Sequence, residues 1–236
     1  GAWLNTDARF SLISLSTMSS NSAGNPALYI TGATSSTIQS SYIRGSTAAL
    51  ISGAIDTKIN SSVLVATNTT GSALALTGAN MGLTVASSTL RGGPLGSGLF
   101  LDIGNVGGIA VSSVIVTGSA RGLEISTQAP GFVLAVDSIT FRGLTPGATA
   151  IHFLGGTLVS TFTLANFEDA NIGANVSGAA LALASRITMN ASTGTRTSPA
   201  YENDPNSLVD WQGYAPYPGC AAISNVGALQ AFATIQ

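Results

Sequence analysis

A short apolar block returns along this chain at intervals of about 25 residues, and that recurrence limits the fold more than any other feature. Its copies are Ala27-Leu28-Tyr29-Ile30, Ala48-Ala49-Leu50-Ile51, Ala73-Leu74-Ala75-Leu76, Gly98-Leu99-Phe100-Leu101, Gly122-Leu123-Glu124-Ile125, Ala150-Ile151-His152-Phe153 and Ala180-Leu181-Ala182-Leu183. A second block keeps step with it, beginning at Ile38, Ile59, Val85, Val111, Val136 and Val159. Two residues on stands Ser40, Ser61, Ser87, Ser113, Ser138 or Thr161. Five on stands Ile43, Leu64, Leu90, Val116, Phe141 or Leu164, and seven on Gly45, Ala66, Gly92, Gly118, Gly143 or Asn166. Length varies only between blocks, where turns belong.

Each block is too short and too rich in β-branched residues for a helix. In the first block the residues flanking the variable one, such as Leu28 and Ile30 around Tyr29, are apolar in every copy. A strand with two side chains inward and one outward gives this pattern. One coil cannot bury its apolar face alone, whereas stacked coils enclose a continuous aliphatic column. The chain is therefore expected to be all-β: a single-stranded parallel β-helix (β-solenoid) of about seven coils. At the spacing of paired strands such a rod is about 34 Å long. A sandwich has no reason to hold this register or to repeat a serine at one place, and the leucine-rich-repeat consensus is absent.

The alternating aliphatic blocks of residues 10 to 195 resemble the coils of the right-handed parallel β-helix, the fold of pectate-lyase-like enzymes, phage tailspikes and surface adhesins. The resemblance is one of fold, and the handedness comes from it alone. It also implies what a catalytic member would carry, namely clustered aspartates with calcium and a basic catalytic residue.

Residues 1–26 are expected to form an N-terminal cap and opening coil, with Trp3 ahead of the alternating stretch Phe10 to Leu15. Residues 27–195 form the β-helix coils. Residues 196–236 break the pattern: Pro199, Pro205, Pro216 and Pro218 lie among Tyr201, Trp211, Tyr214 and Tyr217. This segment reads either as a cap on the chain's own last coil or as a docking segment for another chain, because an open solenoid end is an unpaired edge.

Charged residues make up only 8% of the chain and the net charge is −2. The eight basic residues are scattered, so no patch exists to neutralise a phosphate backbone, and nucleic acid is not an expected partner. Mean hydropathy is +0.41, yet no apolar run is long enough for a transmembrane helix. The single cysteine, Cys220, allows no internal disulfide. Richness in Ser, Thr, Gly, Ala and Asn suggests an extracellular, cell-surface or virion setting. No cofactor is expected.

The outward column of the first block is Tyr29, Leu50, Ala75, Phe100, Glu124, His152 and Ala182. Tyr29, Leu50 and Phe100 form an apolar stripe there, which marks an interface unless the tail covers it. Arg44, Arg91 and Arg142 share one position of the second block, two coils apart. Their spacing of about 10 Å suits an anionic sugar or a partner carboxylate as well as plain solvation. The serine column is expected to be a stacked turn whose hydroxyls bond neighbouring coils or backbone.

Catalytic constellations are thin. Glycoside hydrolysis needs two positioned carboxylates. Only Glu168 and Asp169 are adjacent, in a loop; Asp102 and Glu124 lie on adjacent coils but are expected one register position apart, facing opposite ways. A serine triad lacks a histidine in the right block, and no dense aspartate cluster offers a calcium site. The expectation is a structural, non-enzymatic β-helical part of a fibre, adhesin or virion appendage. Its expected partners are further copies or a neighbouring structural protein, and a surface polysaccharide is the rival, as ligand or substrate.

Overall fold

The computed structural model describes residues 1–154 and 159–167, and beyond them the backbone of strands Ile172–Val176, Arg186–Asn190, Thr193–Gly194, Tyr201–Glu202 and Leu208–Asp210. The chain is a parallel β-solenoid, and no helix occurs among the described residues. One sheet stacks nine strands in chain order: Ala2–Leu4, Leu28–Thr31, Ala49–Ser52, Leu74–Thr77, Ser97–Leu101, Arg121–Ile125, Thr149–Phe153, Ile172–Val176 and Tyr201–Glu202. A second sheet of 15 strands supplies two further faces. These faces join where Gly108–Thr117 and Val133–Phe141 run unbroken around the corner.

The register follows the first block. Leu28 pairs with Ala49, Ala49 with Leu74, Leu74 with Leu99, Leu99 with Leu123 and Leu123 with Ile151. The inward residues Ile30, Ile51, Leu76, Leu101 and Ile125 are fully buried. So are Ile38, Ile59 and Val85 on the second face and Ile43, Leu64, Leu90, Val116 and Phe141 on the third. Burying an aliphatic side chain of this size contributes about 1.5–3 kcal/mol, so the shared column is the main source of stability. The opening coil is itself a coil: Trp3 pairs with Tyr29, Ile13 with Ile38 and Met18 with Ile43.

Two copies of the repeat sit elsewhere than the spacing suggests. The rung after Ile151-His152-Phe153 is Ala174-Asn175-Val176, so Asn175 rather than Ala182 follows His152 in the outward column. Ala180–Leu183 lies outside the described residues. In the second block, Val136 pairs with Phe162, three residues past Val159, and Phe141 pairs with Phe167 in place of Leu164. Phe162 is fully buried and Leu164 is exposed. Both strings of residues satisfy an apolar template, and the structure buries the one carrying Phe162.

The serine column does not bond in the way expected. Ser40, Ser61, Ser87, Ser113 and Ser138 have φ between 48° and 59°, turning the chain between two faces. That left-handed conformation is open to few non-glycine residues, favouring small polar ones. The bridging hydroxyls belong to the residue that follows. Ser41 Oγ donates to the Gln39 carbonyl (2.9 Å) and accepts the Ser16 amide (3.3 Å). Ser62 and Ser88 repeat this, accepting the Ser41 and Ser62 amides at 3.2 and 3.1 Å. Further along, Val114 and Ile139 hold the same place and are buried, so the hydroxyl ladder gives way to more core.

A second polar ladder fills the corner after the first sheet. Asn80 Nδ2 donates to Asn105 Oδ1 (2.8 Å), and Asn105 Nδ2 donates to Gln128 Oε1 (2.9 Å). Asn80 and Asn105 are fully buried. Spare donors reach the Thr77, Asp102 and Ser126 carbonyls at 2.9, 2.9 and 2.7 Å, leaving the corner backbone paired.

The core coarsens along the stack, with Phe141, Phe153 and Phe162 among its largest buried side chains. In the coil that carries Phe141 the block-opening alanine is replaced by Gly122. A Cβ on Gly122 would stand 2.6 Å from Phe141 Cε1 and 2.5 Å from the Ala150 carbonyl oxygen. Gly122→Ala is therefore expected to lower the unfolding free energy by about 2 kcal/mol through overpacking. Gly53→Ala, which meets no atom within 4 Å but keeps a φ of +61°, separates backbone strain from crowding. Urea midpoints of the two variants check this.

Candidate functional site on the first sheet

The outward residues of the first sheet form one column that changes chemistry along the rod. At its start Trp3 stacks on Tyr29, with ring centroids 6.1 Å apart and planes 14° from parallel. Trp3 is 68% exposed. Tyr29, Leu50 and Phe100 are half-buried, since each outward side chain leans on those of adjacent coils. Ala75 between them is buried.

Past Phe100 the column turns polar. Glu124 pairs in register with Phe100 on one side and His152 on the other. Its carboxylate is sheltered, the side chain being 11% exposed. Glu124 Oε2 accepts the Ser97 hydroxyl in a short hydrogen bond and lies 2.8 Å from Arg121 Nε. Arg121 Nη2 also donates to the Leu95 carbonyl (3.0 Å), spanning two coils. His152 Nδ1 stands 3.9 Å from Glu124 Oε1. Burial pushes the His152 imidazole below its ordinary value; Glu124 opposes that shift and Arg121 adds to it.

The sign of the consequence is definite. With a folded value below the unfolded one, His152 costs nothing when neutral and weakens the fold when protonated. Its contribution is intact above the ordinary value of 6.5 and is lost as pH falls through the lowered folded value. Wild type is expected to lose stability faster than His152→Gln on acidification from neutral pH. Paired urea titrations across that window check this; parallel curves would contradict it.

The Ser97 hydroxyl donates to the Glu124 carboxylate rather than to the imidazole, and the same carboxylate oxygen faces the Arg121 guanidinium. Asp102 offers no second carboxylate at the cluster. It is two register positions beyond the Glu124 rung, not one, since Leu101 pairs with Ile125. The strand ends at Leu101, and Asp102 instead accepts the Ile103 amide at 2.8 Å. Glu168 and Asp169 lie outside the described residues.

The remaining candidate residues fall on other parts of the surface. Arg44, Arg91 and Arg142 are exposed on the third face. Tyr201 takes the register position after Asn175, extending the same column by its backbone. Trp211, Tyr214 and Tyr217 lie outside the described residues. Sequence reasoning missed Ser97 and Arg121. The available signal was their shared rung just before the block, where Arg121 replaces a hydroxyl that Thr47, Ser72 and Ser97 supply in earlier coils.

Comparison with known proteins adds little to this geometry. No family profile matches the chain, and no curated protein matches it. Solved structures that resemble it include DFA-IIIase from Arthrobacter chlorophenolicus A6. That protein is 10% identical with a TM-score of 0.40, over 89% of this chain and 63% of its own length.

Proposed function

We propose that the chain is a structural, non-enzymatic β-helical module of an extracellular fibre, adhesin or virion appendage, serving assembly or attachment. The observation that carries this reading is the use made of the sheltered polar groups. The carboxylate of Glu124 is tied to Arg121 and Ser97, and the Asn80, Asn105 and Gln128 amides are spent on joining coils. The assembly part is supported by the apolar outward column Tyr29, Leu50 and Phe100, half-buried along the first sheet. A row of apolar side chains on an outward face favours association.

Light scattering and electron microscopy of the purified chain test this. Concentration-dependent association, reduced in Leu50→Asp, is expected. A monodisperse monomer at high concentration contradicts the assembly role. The rival, a polysaccharide-cleaving β-helix, predicts turnover of some acidic or neutral glycan. Cleavage abolished by Glu168→Gln or Asp169→Asn would replace the present reading.

A further inference from the structure

The third face carries a column of exposed arginines whose register is fixed by backbone pairing. Arg44 pairs with Val65, Val65 with Arg91, and Arg91 with Thr117. Arg142 follows one coil later, its amide bonded to the Val116 carbonyl at 3.1 Å. The guanidinium groups thus recur every second coil, about 10 Å apart along the rod. No described carboxylate lies within ion-pair distance of them. The neighbouring outward column holds Tyr42, Val63, Thr89, Ile115 and Thr140, again without an acid. Gly118 leaves room for the Arg91 stem to cross onto the next coil, since a Cβ there would stand 3.0 Å from Arg91 Cγ.

We propose that this column binds a linear acidic polysaccharide lying along the solenoid axis, with a carboxylate or sulfate on every second sugar ring. One ring advances an extended glycan by close to one coil height, so such a polymer offers an anion at each arginine. The hydroxyl of Thr117 between Arg91 and Arg142, and those of Thr89 and Thr140 on the neighbouring column, suit sugar hydroxyls. A guanidinium is the side chain best shaped for bidentate recognition of carboxylate or sulfate.

Other polyanions fit less well. Duplex DNA carries a charge about every 1.7 Å, far denser than three arginines can match. An extended peptide with acids on one side repeats them at about 6.7 Å, out of step with the column. Among the described residues a second copy of this chain presents no matching acidic column, because Asp137 pairs with Ser112, and Glu124 with Phe100 and His152.

The inference rests on the attachment half of the reading above, and the test keeps the two apart. The full chain is titrated calorimetrically with hyaluronan fragments, which carry a carboxylate on alternate rings, and with dextran and polyglutamate. Light scattering follows the same samples. Hyaluronan binding that added salt weakens is expected, with affinity reduced about tenfold in Arg44→Gln/Arg91→Gln/Arg142→Gln. Lys58→Gln, on another face, leaves the affinity unchanged. No hyaluronan binding, equal affinity in the triple variant, or equal binding of dextran or polyglutamate overturns the proposal. A chain that assembles without binding hyaluronan overturns this inference alone; one that binds it while strictly monomeric overturns the assembly reading alone.

Discussion

Asn105→Leu lowers the unfolding free energy by about 3 kcal/mol, seen as a lower urea midpoint at unchanged slope. Asn105 is fully buried and links three coils. Its Oδ1 accepts from Asn80, and its Nδ2 serves Gln128 Oε1 and the Asp102 carbonyl, at 2.8, 2.9 and 2.9 Å. Leucine deletes these three bonds, each worth about 1 kcal/mol net, leaving Asn80 Nδ2 only the Ile51 and Thr77 carbonyls and Gln128 Oε1 only the Asn105 backbone amide. Asn105→Asp costs more, because a carboxylate oxygen then faces both the Gln128 oxygen and the Asp102 carbonyl. A loss below about 1 kcal/mol for leucine would mean the corner is solvated and the ladder incidental.

Glu124→Ala is the second large effect, a loss of about 2–3 kcal/mol. Breaking a buried ion pair generally costs about 3–5 kcal/mol. The lower figure applies because the Arg121 side chain is 34% exposed and regains water when its partner goes. Glu124→Gln costs less, since an amide oxygen still accepts the Ser97 hydroxyl. A double-mutant cycle of Arg121→Ala with Glu124→Ala isolates the pair. Coupling near zero, with Glu124→Ala as stable as wild type, would show that the carboxylate is not held in the folded chain.

The ladders and the acid cluster mark where the sequence was legible and where it was not. The aliphatic period exposed the fold because inward positions tolerate only apolar residues, so Leu28, Ile51 and Leu76 announce themselves. Arg44, Arg91 and Arg142 fell on one column because the second block holds a fixed length. Legibility failed where coil length changes. Val159 and Phe162 both fit the apolar template, and only the pairing of Val136 with Phe162 shows which one enters the core. The functional hydroxyl was placed one residue early, because recurrence at Ser40, Ser61 and Ser87 reflects a backbone angle rather than a bond. Ser97 and Arg121 were invisible because their meaning lies in a contact across coils, with Glu124, that no local spacing encodes. Asn80 and Asn105 were 25 residues apart, in step with the repeat, and were readable as a stacked corner.

The stacked register underlies every inference drawn, including the arginine column, and one measurement reaches it directly. With Cys220→Ser as background, nitroxide labels are placed at Arg44 and Thr117, and separately at Arg44 and Arg142, for dipolar distance measurement. These pairs are three and four coils apart. Backbone separations of about 14 and 19 Å are expected, in narrow distributions that differ by one coil height. Equal distances for the two pairs, or distributions broader than the coil spacing, would contradict the solenoid.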